Sequence, residues 1–203
     1  MTDNVVFYTN PQTRGRIVHF MLEEAGAPYE MRVLDLARGE HKAPAYLAIN
    51  PMGKVPAIVH RGVVVTETAA ICMYLADEFA AAGLAPKIGD RDRGTYLRWF
   101  FFGASCFDPA LVDRMLGRPP EQRQGAVGYG TFDDTVNVLE RALEPGPYIL
   151  GERFSAVDVY VGAQIGHALL VKALEPRPVF KRYADRVNAR PAVQRLLQGA
   201  KSA

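Results

Sequence analysis

The sequence predicts an α/β unit in the order β-α-β-α-β-β-α followed by an all-α helical bundle, and three observations carry that reading. Apolar runs of strand length alternate with helix-spaced apolar patterns through residues 1–80. A small-residue, proline-terminated stretch, Ala80-Ala81-Ala82-Gly83-Leu84-Ala85-Pro86, then interrupts the pattern as a linker would. From Arg91 onward only helical spacing is present. The expected boundaries are 1–80 for the first unit, 81–90 for the linker and 91–203 for the second unit.

Val5-Val6-Phe7-Tyr8 reads as a buried strand. Arg16 to Ala25 follows with apolar residues at Ile17, Phe20, Met21 and Ala25, a helical spacing closed by Gly26. Tyr29 to Leu36 alternates as a second strand, and a weaker helix covers Ala43 to Ile49. A right-handed crossover sets the first two strands parallel. Ala57–His60 and Val63–Val65 flank Arg61-Gly62, a two-residue hairpin connection, and a third helix spans Glu67 to Phe79.

In the second unit, long helical stretches at Arg91–Leu116 and Tyr129–Leu143 are separated by the break Gly117-Arg118-Pro119-Pro120. Ser155 and Asp158 stand at capping-box spacing, with Phe154 and Val159 at the spacing of a hydrophobic staple. Loss of such a cap costs about 0.5–2 kcal/mol. The helix they begin is apolar nearly all round through Val161, Ile165 and Leu169, as a buried central helix should be. Asp158 therefore reads as a folding residue. Arg177–Ala189 and Pro191–Gln198 supply two last short helices.

At 203 residues and 49% hydrophobic content the chain can build real cores. Net charge is +2 with Lys and Arg scattered, which predicts no nucleic-acid partner. Met1-Thr2-Asp3-Asn4 lacks the basic start of a secretory signal. The longest apolar stretch, Val157 to Val171, is broken by Asp158, Gln164 and His167 and is too short to span a bilayer. A cytoplasmic protein without a membrane partner is expected. Cys72 and Cys106 form no Cys-x-x-Cys pair, and each reads as a buried small hydrophobe. His19, His41, His60 and His167 are isolated, so no metal site and no catalytic histidine is expected.

The stretch Asn50-Pro51-Met52-Gly53-Lys54-Val55-Pro56-Ala57, followed by Glu67-Thr68-Ala69-Ala70-Ile71, carries the functional signal. Pro56 stands at the entrance of a strand, where a missing N–H does least damage. X–Pro bonds are cis in only about 5–6% of cases. A cis Val55–Pro56 bond would leave the Val55 N–H and C=O facing outward, able to pair with an extended ligand as one more strand. Glu67 and Thr68 fall at a helix N-terminus, a ready carboxylate site.

Together these segments resemble the cytosolic glutathione transferase family, in its bacterial members with a Ser/Thr-type active site. The resemblance covers nearly the whole chain, including the thioredoxin-like βαβαββα domain and the capping box of the core helix. It implies glutathione as co-substrate, no metal, a small hydrophobic electrophile as second substrate, and a homodimer. It further implies that Lys54 meets the glycine carboxylate, that the Val55 backbone before Pro56 meets the cysteinyl residue, and that Glu67 and Thr68 take the γ-glutamyl end. Arg14 is placed to steady the sulfur or to lie solvated in the first helical turn. His41 or Lys42 adds a contact from the loop before the second helix, with a simply solvated loop the other and preferred reading. Met52 carries no polar handle and reads as packing.

Chemistry in this family runs through a thiolate. A cysteine-type thiol titrates near about 8.5, and a hydrogen bond to a charged acceptor contributes roughly 1.5–3 kcal/mol. One hydroxyl donor thus lowers the pKa by roughly one to two units. Alignment with family members carrying a Ser-Arg pair puts Thr13 on the serine, with Asn10, Thr9 and Tyr8 as alternatives. The extra methyl of threonine restricts its rotamers, and a helix-capping role is the other reading. Trp99-Phe100-Phe101-Phe102 and Phe107 offer aromatic surface for the electrophile, with Phe102 and Phe107 the candidates and core packing the alternative. The resulting reading is a glutathione transferase. Its rivals are a glutathione-dependent disulfide reductase or peroxidase on the same fold and a non-catalytic binding or stress adaptor.

Overall fold

The computed structural model describes residues 4–199 and divides into two compact units, Met1–Leu84 and Ala85–Ala203. The first contains β1 (Val5–Thr9), α1 (Gly15–Ala25), β2 (Tyr29–Val33), α2 (Pro44–Leu47), β3 (Ala57–His60), β4 (Val63–Thr66) and α3 (Thr68–Glu78). The strands form one mixed sheet in the order β2-β1-β3-β4. β1 and β2 are parallel, and β3 runs antiparallel to both of its neighbours. Val5, Phe7, Ala57 and Ile58 are wholly buried, as are Val18, Met21 and Leu22 of α1 and Ile71, Cys72 and Leu75 of α3. Each such large side chain contributes about 1.5–3 kcal/mol by leaving water.

Local chemistry sets the ends of the elements. Gly26 closes α1 in the left-handed conformation, φ 61°. Arg61 and Gly62, both at positive φ, make the tight β3–β4 connection. β2 stops at Val33, three residues before the expected Leu36. Leu34 N–H bonds Thr9 O at 2.8 Å, and Asp35 Oδ1 then accepts from the N–H groups of Ala37 and Arg38 to make a turn. The helix expected over Ala43–Ile49 is the single turn of α2, preceded by a 3-10 turn at Glu40–Lys42.

The second unit contains α4 (Arg93–Phe102), α5 (Asp108–Met115), α6 (Phe132–Leu143), α7 (Ala156–Leu170), α8 (Pro178–Asn188) and α9 (Pro191–Gly199). α4 and α5 are joined by a π-helical segment, Gly103–Phe107, within what the spacing predicts as one helix. A side chain at Gly103 would lie 2.9 Å from the Tyr160 ring, so the absence of one lets α4 meet α7 closely. The wider π turn also changes which face each residue presents. Cys106, expected to be buried, is consequently only half-buried, with its thiol toward Gly128 O. Asp158 anchors α7 from full burial. Its Oδ2 accepts from Ser155 N–H and hydroxyl, both at 2.9 Å, and its Oδ1 accepts from Ile149 N–H and Tyr183 O–H, both at 2.8 Å. Burial pushes its carboxyl above the ordinary range, and these four donors oppose that shift. No helix among the described residues is long and apolar enough to cross a membrane.

Candidate functional site

Strand register gathers the candidate residues at one end of the sheet in the first unit. Tyr8 pairs with Ala57, which puts Thr9 and the loop after it beside Pro56. Ala57 in turn pairs with Thr66, which brings Glu67 and Thr68 to the other side of Pro56. The Val55–Pro56 peptide is cis. Among the described residues neither the N–H nor the C=O of Val55 has a hydrogen-bond partner.

Glu67 holds φ 64° and ψ 117°, a backbone conformation that costs a residue with a side chain of order 1–3 kcal/mol and concentrates at functional sites. No side chain caps α3. Its first amides therefore point outward without a side-chain acceptor, an anion site in waiting. Thr68 is buried and Glu67 exposed.

The end of β1 and the loop after it supply four hydroxyl, phenol or amide candidates. The Thr13 hydroxyl donates to Asn10 O at 2.7 Å and accepts from Gly15 N–H at 3.1 Å, so it also serves the first turn of α1. Asn10 donates from Nδ2 to Leu34 O at 3.0 Å and accepts at Oδ1 from Gln12 N–H at 2.9 Å, bracing the loop against the end of β2. Thr9 is 3% exposed, and its Oγ1 lies only 1.9 Å from where a Gly15 Cβ would stand. Tyr8 is half-buried with its ring against Tyr46, centroids 5.6 Å apart. Arg14 is exposed at the start of α1. Beside this loop opens a cleft of about 330 Å³ lined by Asn10, Pro11, Gln12, Asp35, Leu36 and Ala37.

On the other side, the 3-10 turn and α2 support the segment before Pro56. Lys54 is exposed. Lys42 spends its ammonium on Met52 O at 2.9 Å. The Nδ1 of half-buried His41 is itself buried and has no hydrogen-bond partner, a polar group placed for a ligand. Met52 does not pack: it is 67% exposed, because Asn50 and Gly53 occupy the inner side of the turn. Gly53 sits at φ +60°, and a Cβ there would fall 2.7 Å from His41 O.

Three residues in this region escape sequence reasoning. Tyr46 and Asn50 both donate to Lys54 O, at 2.5 and 2.8 Å, and Gly15 makes room for Thr9. The one available signal was their spacing, since Tyr46 and Asn50 are four apart and so share a face of a helical turn. In the second unit Phe107 is fully buried and packs the core, leaving no surface for an electrophile. Phe102 is half-buried against Trp99, ring centroids 5.0 Å apart, whereas Phe101 is 65% exposed.

Comparison with known proteins agrees along both units. Residues 15–78 match the family model described as glutathione S-transferase, N-terminal domain, and residues 109–197 match glutathione S-transferase, C-terminal domain. A probable glutathione S-transferase of Oryza sativa subsp. japonica, GSTF2, is 30% identical over 189 residues, covering 87% of each chain. The Escherichia coli protein named disulfide-bond oxidoreductase YfcG is 28% identical, covering 94% of this chain and 93% of its own. The crystal structure of a glutathione transferase homologue from Sulfitobacter with bound glutathione superposes with TM-score 0.79 at 27% identity, covering 98% of this chain and 99% of that one.

Proposed function

The chain belongs to the glutathione S-transferase family, and from that premise we propose that it binds glutathione along the Val55 edge and transfers its thiolate to a small apolar electrophile. The observation that carries this reading is the register that sets the Thr9–Arg14 loop, the open Val55 peptide groups and the uncapped N-terminus of α3 at one end of the sheet. In this reading the Val55 N–H and C=O pair with the cysteinyl residue as an added strand. The amides of α3, with Thr68 and Glu67, take the γ-glutamyl carboxylate and ammonium. Lys54 and His41 face the glycine carboxylate, and Arg14 lies near the sulfur.

Thr13 is the thiol activator. Its hydroxyl proton swings from Asn10 O to the developing thiolate, while Gly15 N–H keeps the oxygen in place. The exchange trades a neutral hydrogen bond of about 0.5–1.5 kcal/mol for a charge-assisted one of roughly 1.5–3 kcal/mol. The thiolate wins. Pro11, Leu36 and Ala37 give the neighbouring cleft apolar walls, in keeping with an apolar acceptor. Exposed Met52 and Phe101 favour association with a second copy of the chain.

Glutathione-dependent disulfide reduction is the second reading, favoured by the Escherichia coli relative. It requires no thiol of the protein, which suits the full burial of Cys72. Retention on immobilised glutathione, followed by parallel assays with a general aryl halide and a hydroxyalkyl disulfide, tests both. Turnover of the halide supports transfer. Turnover of the disulfide alone selects reduction, and failure to bind at millimolar glutathione overturns both readings.

A further inference from the structure

We propose that Tyr46 and Asn50 are positioning residues that aim the Val55 N–H at the backbone of the bound peptide. The assignment rests on the glutathione reading and deepens it by naming what orients the recognising amide. The Lys54 carbonyl accepts from the Tyr46 phenol at 2.5 Å and from Asn50 Nδ2 at 2.8 Å. That carbonyl and the Val55 N–H belong to one planar peptide unit, in which the C=O and N–H of a trans bond point in opposite directions. The cis bond is the next one along, Val55–Pro56. Two donors that hold the oxygen toward α2 therefore turn the Val55 N–H away from α2, toward the side where it has no partner among the described residues.

Both donors are held in turn. Tyr46 is 4% exposed with its ring against Tyr8. Burial raises the phenol above its ordinary range, so it stays protonated and donates. Asn50 is equally buried. Its Oδ1 accepts from Met52 N–H at 3.1 Å and its carbonyl from Gly53 N–H at 2.8 Å. The pair thus acts on binding through a single peptide plane, and catalysis at the sulfur does not require it.

Tyr46→Phe keeps the ring and deletes one donor, while Asn50→Asp keeps the acceptor for Met52 and deletes the other. With the whole chain, titration of glutathione should show about 3- to 10-fold weaker binding for each variant. KM for glutathione should rise by the same factor with kcat held within about twofold, and exchange of the Val55 amide should be slowed less by glutathione than in the wild type. Thermal melting checks that each variant is folded, and the second variant stands if the first is not. Wild-type binding that survives both substitutions, or a loss confined to kcat, overturns this assignment alone. Absence of glutathione binding by the wild type overturns the glutathione reading and this assignment with it.

Discussion

Replacing Gly15 with alanine sets two known effects against each other at the start of α1. Alanine is favoured over glycine by about 1 kcal/mol inside a helix, and by less at the first helical position. Against this, the new Cβ would stand 1.9 Å from Thr9 Oγ1 and 3.2 Å from Thr13 Oγ1, where real contacts essentially never fall below 3.0 Å. Thr9 has little freedom to yield. It is 3% exposed, its carbonyl is bonded to Leu34 N–H, and its β-branched side chain is stiff. Overpacking of this kind costs about 1–3 kcal/mol, and the depth of the overlap argues for the upper half of that range. The net expectation for Gly15→Ala is a loss of about 1–2 kcal/mol, read as a fall in the melting temperature of about 2–8 °C. Thr9→Ala removes the colliding oxygen, so the double variant Thr9→Ala/Gly15→Ala should recover most of the loss, a coupling expected of residues in contact. A single Gly15→Ala variant as stable as the wild type, or a double variant no better than the single, refutes the packing argument.

Thr13→Ala should shift the pH profile of conjugation upward by roughly one to two units and lower the rate near neutral pH by about tenfold or more, whereas Thr13→Ser should preserve both; an unshifted profile with Asn10→Ala inactive moves the donor to Asn10. His19 is held below its ordinary pKa chiefly by burial, with Glu23 opposing, so its stabilising contribution is complete above about 6.5 and is lost as pH falls from there through the folded value. Urea midpoints at pH 7.5 and 5 should therefore differ less in His19→Gln than in the wild type, and equal pH dependence would exclude His19 as the source. Asp158→Ala strands four donors in the core of the second unit and should cost about 3 kcal/mol or more, against about 1 kcal/mol for Tyr183→Phe; comparable melting temperatures for the two variants would contradict the network.

Unit 1 was legible because its strands announce themselves twice, by apolar alternation and by Gly and Pro punctuation. The βαβαββα order and the Ser155–Asp158 cap each rest on local residue chemistry that a linear reading sees, whereas the sequence offered a cis Val55–Pro56 bond only as a condition for ligand pairing, and the structure supplies it. What escaped depended on individual hydrogen bonds and helical winding that apolar spacing does not encode. Asp35 stopped β2 early by accepting from the N–H groups of Ala37 and Arg38, a turn that apolar Leu34 and Leu36 on either side of it concealed. Met52 looked like packing because it is apolar, yet the inward demands of Asn50 and Gly53 left it outside. The π segment at Gly103–Phe107 has no signature in apolar spacing, so the outward turn of Cys106 could not be read. Tyr46 looked like an ordinary residue of a weak helix and Asn50 like the mere start of the segment before Pro56, since their importance lies in a carbonyl several residues further on.

The open peptide groups of Val55 and the uncapped amides of α3 have a consequence for how such a site tolerates change. Their ligand-facing atoms are main-chain atoms, which every residue except proline carries in full. Scanning with alanine would pass over them almost silently, and a lineage could drift at these positions while keeping the same ligand chemistry. The constraint falls instead on residues that shape the chain without facing the ligand: the glycine at position 53, the forced turn at Glu67, and the pair beneath Lys54. Sequence turnover can therefore be fast on the surface of the site and slow one layer below it.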